Sequence, residues 1–366
     1  MQEYRRDQRG NHKSMGPDNF TAQSEKTYVG YRNVVEELRK RILPASSVLI
    51  ATHDYPDPDC LASAWGIYHL LRHWGIENPV ITFGGFVGRS ENRTMLRVLG
   101  MKVKPLVVVT PTDFERVILV DTFPASGNLS LPTKARTDAV IDHHPRANSD
   151  STSFFCDVRE EIGATSTLVT QYLRAAHCPI PETLATALFY GIKTDTRDMS
   201  RNVSHEDLEC YRTLFDWVDH RLLSRIEFPD RDVEYFRMLH RAAGNMLLLQ
   251  KVGYTHLGLV STPDHIAEIA DLFLSLETLE WTIVSGVFED QIFYSVRSKE
   301  SETAGQKAQL IARRLNGSGG GHSSMAAGRI PMSGLPENRV RERFIEVIEN
   351  EFGVSRHDVE SLITGQ

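Results

Sequence analysis

Residues 51–60, ATHDYPDPDC, follow directly on the apolar run SVLI at 47–50. Pro56 and Pro58 fix their own φ angles and donate no backbone hydrogen bond, so this stretch cannot continue a strand or lie inside a helix. Three aspartates and a histidine therefore stand on a stiff loop at the end of an expected buried strand. The prolines should limit the freedom of the loop and preorganise its side chains. We assign no role to Asp54.

Three more short runs rich in Val and Ile predict strands, and they are PVITF at 79–83, RVILVD at 116–121 and DAVID at 138–142. Amphipathic segments with helical spacing lie between or after the strands. These segments are 59–74, 163–176, 181–192 and 205–218. Alternating strands and helices with fully apolar strands predict an α/β fold whose parallel sheet carries helices on both faces.

The pattern changes further along the chain. We expect a mobile polar tail at 1–26, a catalytic domain at 27–220, a helical connector at 221–250 and a smaller α+β domain at 251–366, with the active site in a cleft between the domains. In the last domain, 252–260, 281–290 and 291–300 predict adjacent strands, with a hairpin turn at Glu289–Asp290. Residues 301–316 and 336–352 predict helices.

Composition narrows the classes of function. The chain has 366 residues, a net charge of −7 and a pI of about 6.1, which argues against a wide basic surface for long duplex nucleic acid. No stretch is apolar enough to span a membrane, and the polar N-terminus lacks the apolar segment of a secretory signal. The cysteines are scattered, without a Cys-x-x-Cys pair, and predict reduced thiols in a cytoplasmic protein rather than disulfides or a zinc site. They are Cys60, Cys156, Cys178 and Cys210.

Aspartates and histidines follow several of the predicted strands. They are His53, Asp57, Asp59, Asp121, Asp142, His143 and His144, with Asp195 at the end of a later apolar segment. The carboxyl ends of parallel strands open onto one crevice, so we expect these side chains to converge. Taken singly, Asp121 fits a helix cap equally well, and His53 fits an ordinary loop histidine better than a ligand.

Convergence of these side chains predicts a metal centre. Carboxylates packed this closely would force some of their number to protonate unless a cation is present. Mixed carboxylate and imidazole ligands suit Mn, Fe or Zn. The number of ligands suits two metal ions that share one carboxylate, an arrangement used for in-line displacement at phosphorus.

Four motifs carry a resemblance to a known family: HDYPDPD at 53–59, LVDT at 119–122, IDHH at 141–144 and GIKTDT at 191–196. In this order they resemble the motifs of the DHH phosphoesterase superfamily, although Pro58 stands where glycine is common in that family. The resemblance implies two divalent ions, with Mn²⁺ expected, and a hydroxide nucleophile.

The resemblance also implies a role for each residue of the four motifs. His53 and Asp57 would bind the first ion, and Asp121 would bridge the two. Asp59, His143 and Asp195 would bind the second ion. His144 would face the substrate phosphate, and Asp142 would hold an imidazole in the required tautomer.

Residues 316–328, NGSGGGHSSMAAG, resemble the signature of the DHH-associated C-terminal domain, with Ser318 where the family often has a further glycine. The resemblance implies substrate binding by Gly319, Gly320, Gly321 and His322, and by Arg297 as a phosphate contact. On spacing alone the glycine run is also compatible with a flexible loop, and Arg297 with an exposed arginine at a strand end.

The predicted function is metal-dependent hydrolysis of phosphate esters in short nucleotides. The chain resembles the branch of the superfamily that degrades oligoribonucleotides of a few residues and dephosphorylates 3′-phosphoadenosine-5′-phosphate (pAp). A cyclic or linear dinucleotide phosphodiesterase is the alternative within the family. A nucleotide-binding regulator without catalysis is the alternative from another class. The protein could form a homodimer. The sequence leaves open the substrate, the physiological metal and the polarity of cleavage.

Overall fold

The computed structural model describes residues 22–124, 126–132, 135–145, 154–300, 303–322, 324–332, 337–355, 357 and 359–363. Helices, in chain order, are α1 Ala22–Ile42, α2 Pro58–His73, α3 Ser90–Leu99, α4 Thr165–Ala175, α5 Glu182–Asp195, α6 His205–Phe215, α7 His220–Glu227, α8 Val233–Gly244, α9 Asp264–Leu274, α10 Ala304–Arg314 and α11 Glu337–Phe352. Strands are β1 Val48–Thr52, β2 Val80–Phe83, β3 Val103–Pro105, β4 Arg116–Val120, β5 Ala139–Asp142, β6 Phe155–Val158, β7 Leu247–Leu249, β8 Val252–Leu259, β9 Trp281–Phe288, β10 Gln291–Ser298, β11 Ser318–His322, β12 Met325–Pro331 and β13 Val359–Ser361.

The chain divides into two compact units, and the first comprises Met1–Gly85 and Lys102–Asp219. Its core is a six-stranded sheet in the order β3-β2-β1-β4-β5-β6, and every pairing in it is parallel. The predicted strands β1, β2, β4 and β5 are confirmed. Strands β3 and β6 were not predicted, because their sequences VKP and FCDV are too short and too polar to give a strand signal.

The proline-rich loop that ends β1 also begins α2. Asp57 is the N-cap, and its Oδ1 accepts a hydrogen bond from the backbone N–H of Cys60 at 3.0 Å. Pro58 occupies the first helical position, where its missing N–H would have no partner in any case. The residues that stop the strand are therefore also those that start the helix.

The two faces of the parallel sheet are covered differently. One face packs against helices, among them α2 and α4. On the other face, Leu49, Val117 and Leu119 pack against apolar side chains that belong to loops and short turns, such as Leu106 and Phe123. We expected helices on both faces. In the described residues, loops and short turns cover the second face, because the segments 106–114 and 126–131 and Phe123 contribute apolar side chains that pack on it.

The second unit comprises Phe86–Met101 and His220–Gln366. Its mixed sheet has the order β11-β12-β10-β9-β8-β7-β13, in which β8 and β9 are parallel and the other pairs are antiparallel. The predicted hairpin between β9 and β10 is present, with Glu289 at a φ of 48°. Beneath the sheet, the rings of Tyr254 and Phe344 stack with centroids 5.5 Å apart.

The units differ from the domain bounds that we expected. Residues 86–101, which include α3, belong to the second unit, so the expected domain at 27–220 is interrupted. Residues 221–250 are not a separate connector, because α7, α8 and β7 are part of the same unit. Arg231 helps to hold residues 86–101 and 221–250 in the second unit. It pairs with Glu91 of α3 at 2.6 Å and with Glu268 of α9 at 2.9 Å. Periodicity along the chain carries no information about such contacts.

One further expectation needs adjustment, and the flexible-loop alternative for the glycine run is not what the structure shows. The polar tail was expected to reach residue 26, but α1 already begins at Ala22, and the rest of the expected tail lies outside the described residues. The glycine run at 319–321 forms an edge strand, β11, paired with β12 rather than a loop. No helix in the described part of the chain is both long and apolar enough to cross a bilayer.

Candidate active site at the carboxyl edge of the parallel sheet

The topology of the parallel sheet collects the predicted residues of the first unit at one edge. His53 follows β1, Asp121 follows β4, and Asp142 is the last residue of β5, directly before His143 and His144. Because β4 lies between β1 and β5, Asp121 stands between the side chains that follow its two neighbours. Adjacent strands are about 4.8 Å apart, so neighbouring strand ends bring their side chains within the reach of shared ligands. Asp57, Asp59 and Asp195 are added by the start of α2 and the end of α5.

A first group of possible metal ligands surrounds His53. Its Nε2 lies 3.8 Å from Oδ1 of Asp57 and 3.5 Å from Oδ2 of Asp121. The Sγ of Cys60 belongs to the same group, in which the ligand atoms all lie within 4.8 Å of one another. Cys60 was not predicted as a ligand, and its position directly after Asp59 was the signal that could have indicated it.

A second group surrounds His143. Its Nε2 lies 3.0 Å from Oδ2 of Asp195, and Asp59 completes the group. The same nitrogen lies 3.7 Å from Oδ1 of Asp121, which forms a further possible group with His143 and His144. Asp121 therefore directs Oδ2 toward His53 and Oδ1 toward His143. One carboxylate thus lies between two sets of ligands.

Backbone carbonyls fix the orientation of both imidazoles. Nδ1 of His53 lies 2.8 Å from the carbonyl oxygen of Asp54, and Nδ1 of His143 lies 3.0 Å from that of Ile162. A carbonyl can only accept, so Nδ1 carries the proton in each ring and Nε2 faces the carboxylates. Metal-ligating histidines usually have this second hydrogen bond.

Asp142 and His144 form a hydrogen-bonded pair beside these groups. The buried Oδ1 of Asp142 accepts bonds from the backbone N–H groups of His143 and His144 and, at 2.9 Å, from Nδ1 of His144. The hydrogen bond to Asp142 is the main cause of a raised pKa at His144, which favours the cationic imidazolium. The His144 side chain is 55% exposed, so it is accessible to a bound anion.

The first turn of α4 holds two of the carboxylates. The backbone N–H of Thr165 donates to Oδ2 of Asp59 at 2.7 Å, and that of Ser166 donates to Oδ1 at 2.8 Å. Oγ1 of Thr165 donates to Oδ1 of Asp121 at 2.8 Å. This helix was predicted, but Thr165 was given no role. Threonine is common at helix starts, and nothing in the local sequence indicates a distant hydrogen-bond partner.

Asp54 gains a structural role that the sequence did not reveal. Its carboxylate accepts hydrogen bonds from the backbone N–H of Ser130 at 3.0 Å and from the Ser130 hydroxyl at 2.6 Å. Its own backbone N–H donates to the carbonyl of Asn128 at 2.7 Å. A side chain at Gly84 would collide with this carboxylate, since a Cβ there would lie 1.7 Å from Oδ1. Asp54 therefore anchors the histidine loop rather than taking part in either ligand group.

Burial and crowding perturb the second group strongly. The pKa of Asp59 is raised well above its usual value, first by burial and then by the neighbouring Asp121 and Asp195 carboxylates. Burial alone would lower the pKa of His143, but Asp195, Asp121 and Asp59 outweigh it and raise that pKa to about 11. The site therefore attracts positive charge strongly.

The pKa values of the first ligand group are also perturbed by burial and by neighbouring charges. Burial lowers the pKa of His53, but Cys60, Asp121 and Asp57 together raise it well above the usual value. Burial also raises the pKa of Asp121, yet the three imidazoles around it lower that pKa overall. Burial raises the pKa of the Cys60 thiol to about 11. Protons or metal cations can bind to these imidazole, carboxylate and thiol groups.

The residues fit metal ions. Nε2 of His143 is buried and has no hydrogen-bond partner of acceptable geometry in the described chain, although Asp195 lies 3.0 Å away. Because this nitrogen faces carboxylates in a buried site, a proton or a metal cation bound to it would relieve the crowding of negative charge. The carboxylates and imidazoles of both groups are ligands that Mn²⁺, Fe²⁺ or Zn²⁺ accept.

In the second unit, Arg297 and His322 lie in register with each other on the two strands that flank β12. Arg297 of β10 and His322 of β11 both pair with Met325 of β12, one from each side. The Arg297 side chain is only 7% exposed, and its Nε donates to Oδ1 of Asp271 at 2.5 Å. It is therefore a buried, fixed arginine, unlike the exposed strand-end arginine that the sequence also allowed.

Arg89 is a further basic residue of this unit that sequence reasoning missed. Its Nη2 donates to Oδ2 of Asp271 at 3.0 Å, so Asp271 links Arg89 to Arg297. The Arg89 side chain is 45% exposed. Nothing in the local sequence FVGRSEN indicated this contact, since Asp271 lies far along the chain.

The three glycines of β11 have different surroundings. A Cβ at Gly319 would lie 2.4 Å from the Tyr294 hydroxyl, and one at Gly321 would lie 2.4 Å from the backbone of Met325 and Ala326. Close packing therefore requires glycine at both positions. At Gly320 the nearest atom is 4.0 Å away, so the backbone can be approached there.

An open parallel sheet with aspartates and histidines gathered at its carboxyl edge is the arrangement of a metal-dependent hydrolase. The sequence matches the DHH family, N-terminal domain, over residues 47–192 and the DHHA1 domain over residues 249–353. Together these ranges include more than half of the chain. The protein belongs to the DHH superfamily of phosphoesterases.

Relatives extend over different parts of the chain. An uncharacterised protein of Methanocaldococcus jannaschii, MJ1633, is 33% identical over 315 residues, which are 82% of this chain and 64% of that protein. A probable manganese-dependent inorganic pyrophosphatase of Enterococcus faecalis is 24% identical over 172 residues, or 47% of this chain and 55% of that protein. The chain thus spans less than two thirds of the length of these curated relatives.

A solved structure shares the fold. An exopolyphosphatase-related protein from Bacteroides fragilis superimposes with a TM-score of 0.69 over 87% of this chain and 96% of that chain. The sequences are 18% identical. This similarity confirms the α/β architecture with its two sheets.

Proposed function

We propose that the protein is a divalent-metal-dependent phosphoesterase that hydrolyses short nucleotides, namely oligoribonucleotides of a few residues, pAp, or both. The observation that carries this proposal is the position of Asp121, with Oδ2 3.5 Å from Nε2 of His53 and Oδ1 3.7 Å from Nε2 of His143. A carboxylate between two ligand groups is suited to two ions at once. Mn²⁺ is the first choice, since relatives are described as probable manganese-dependent enzymes.

Each ligand residue has a position that suits its expected role. His53 and Asp57 would hold the first ion, and the residues of the second group would hold the other. When bound, the two ions would supply Lewis acidity at the phosphoryl group and lower the pKa of water. The hydrogen bonds from α4 to Asp59 and Asp121 would keep both carboxylates in place while the ions bind.

His144 is the residue that we assign to the substrate phosphate. Its Nδ1 is bound to Asp142, so its other nitrogen, Nε2, is available as a donor when the ring is protonated. A raised pKa, due mainly to that same hydrogen bond, favours this protonated state. His144 can therefore stabilise negative charge on the phosphate or protonate the leaving oxygen.

The second unit supports a nucleotide rather than a purely inorganic substrate. It matches a DHHA1 domain, and it contains the fixed Arg297, the approachable backbone at Gly320 and the neighbouring His322. Guanidinium groups bind phosphate through paired donors. The net charge of −7 disfavours long nucleic acid, so we assign substrates of one to a few nucleotides.

A substrate panel tests the proposal. Metal-free protein should be assayed with Mn²⁺ and with Mg²⁺ on pAp, labelled RNA of two to five residues, linear and cyclic dinucleotides, pyrophosphate and polyphosphate. We expect metal-dependent release from pAp or short RNA, with cyclic dinucleotides poorer. Hydrolysis of pyrophosphate or polyphosphate alone would contradict the proposal. Nucleotide binding without any hydrolysis would instead support a regulator.

A further inference from the structure

Cys60 lies within the first ligand group. Its Sγ and the ligand atoms of His53, Asp57 and Asp121 all lie within 4.8 Å of one another. The Cys60 side chain is completely buried. The second ligand group, made of Asp59, His143 and Asp195, contains no sulfur. The two groups therefore differ in chemistry as well as in position.

Local structure fixes the thiol in this place. Cys60 lies in the first turn of α2, and its N–H donates to Oδ1 of Asp57, another member of the group. Pro58, at the first helical position, restricts the same turn. On the opposite side, the bond from Nδ1 of His53 to the Asp54 carbonyl directs Nε2 inward. The backbone of Cys60 is thus fixed beside the nitrogen and oxygen ligands.

The spacing is compatible with a single ion. Zinc binds cysteine sulfur at about 2.3 Å and histidine nitrogen or carboxylate oxygen at about 2.0–2.2 Å, so two ligands of one tetrahedral ion lie about 3.4–3.6 Å apart. The four ligand atoms lie within 4.8 Å of one another, so the set would contract by about 1 Å around a bound ion. A nitrogen, two oxygens and a sulfur make a four-coordinate set.

We propose that Cys60 is a fourth ligand of the first metal site, which makes that site selective for thiophilic ions such as Zn²⁺ or Co²⁺ over Mn²⁺. This inference rests on the metal centre of the proposed function. Thiolate sulfur is a soft ligand, whereas Mn²⁺ is best matched by carboxylates and water. On binding, the thiol releases one proton to solvent and the thiolate sulfur binds the ion. The sulfur-free second site keeps its preference for Mn²⁺, so the two sites prefer different ions.

Cobalt spectroscopy tests the ligand directly. Metal-free full-length protein is titrated with Co²⁺, and the near-ultraviolet sulfur-to-cobalt charge-transfer band is recorded for wild type, Cys60→Ser, Cys60→Ala and the matched control Cys178→Ala. Cys178 is also a buried free cysteine, but it belongs to neither ligand group. We expect the band in wild type and Cys178→Ala and its loss in both Cys60 variants. Zinc affinity should fall roughly tenfold or more in those variants, with a smaller change for Mn²⁺.

X-ray absorption spectroscopy of zinc-loaded wild type needs no variant, so it tests sulfur coordination even if the substitutions impair folding. With one equivalent of Zn²⁺ per chain, one sulfur scatterer at about 2.3 Å is expected. Its absence, or a cobalt band that survives in Cys60→Ser, overturns the proposal. If sulfur coordination is absent while nucleotides are still hydrolysed, only the role of Cys60 fails. If the sulfur is bound but no nucleotide is hydrolysed, the proposed function fails and the ligand assignment stands.

Discussion

Oγ1 of Thr165 donates a hydrogen bond to Oδ1 of Asp121 at 2.8 Å, and both side chains are buried. The same residue donates its backbone N–H to Asp59. Thr165 thus connects Asp59 of the second ligand group to Asp121, which belongs to the first group and faces His143 of the second. This contact gives α4 a part in positioning the metal centre, although none of its own side chains belongs to a ligand group.

Replacing Thr165 with valine should weaken metal binding while preserving the fold. Valine has the same shape as threonine but no hydroxyl, and the backbone bond to Asp59 remains. We expect Mn²⁺ affinity to fall by about 10–100-fold, as is typical when a partner of a metal ligand is lost. Isothermal titration of metal-free protein measures the change. Thr165→Ser retains the hydroxyl and should bind Mn²⁺ like wild type. Equal Mn²⁺ affinity in all three proteins would show that the Thr165–Asp121 hydrogen bond does not contribute to metal binding.

Asp121→Asn should nearly abolish turnover, because it removes the charge shared between the two ligand groups. Metal ions supply several kcal/mol of charge stabilisation and about 1.4 kcal/mol is worth tenfold in rate, so we expect a loss of about a thousandfold or more. Asp113→Asn, an exposed aspartate of the same unit, serves as the control and should change little. Initial rates with saturating Mn²⁺ decide the outcome. Activity close to wild type in Asp121→Asn would refute the bridging role.

Arg297→Lys should weaken substrate binding more than turnover. Lysine keeps a positive charge opposite Asp271 but lacks the several donors by which arginine can bind both Asp271 and a phosphate. We expect KM to rise by about tenfold, with kcat changed by less than about twofold. Arg329→Lys on β12 is a matched, exposed control. A large fall in kcat at unchanged KM would place Arg297 in the chemical step instead.

His256 should make the second unit sensitive to acid. Burial, with Arg341 adding to it, lowers the pKa of His256 to about 4, and its Nδ1 is hydrogen-bonded to the Ser285 hydroxyl. The unfolded chain binds this proton near pH 6.5, so the unfolded state gains protons first as the pH falls. Stability should therefore decline from about pH 6.5 toward pH 4, by at most about 1.4 kcal/mol per pH unit from this group.

Urea unfolding at pH 7.5 and pH 5 measures this effect. His256→Gln should lose less stability between the two values than wild type, because glutamine does not titrate. His240→Gln, which changes an exposed histidine of α8, should behave like wild type. If all three proteins lose the same stability, the buried imidazole contributes nothing to acid sensitivity.

The sequence predicted the parts of the structure that depend on local patterns. Short apolar runs identified β1, β4 and β5, and the polar residues after them are those that the structure brings together as possible ligands. This was possible because parallel strands place their carboxyl ends at one edge, so sequence position alone implied convergence.

Other features depend on contacts between distant segments and were not predictable. The hydroxyl of Thr165 reaches Asp121 only because α4 packs beside the sheet. Residues 86–101 join the second unit through the pairs that Arg231 makes with Glu91 and Glu268. Neither periodicity nor composition encodes which far residue an arginine or a threonine will meet.

The stoichiometry of Mn²⁺ binding tests the central claim most directly. Metal-free wild-type protein is equilibrated with Mn²⁺, and free Mn²⁺ is measured by electron paramagnetic resonance, with Asp121→Asn for comparison. The structure predicts two ions per chain at saturation in wild type, bound through Asp121, and weakened binding at both sites in the variant. Saturation of wild type at one ion or none, or unchanged binding in Asp121→Asn, would contradict the account.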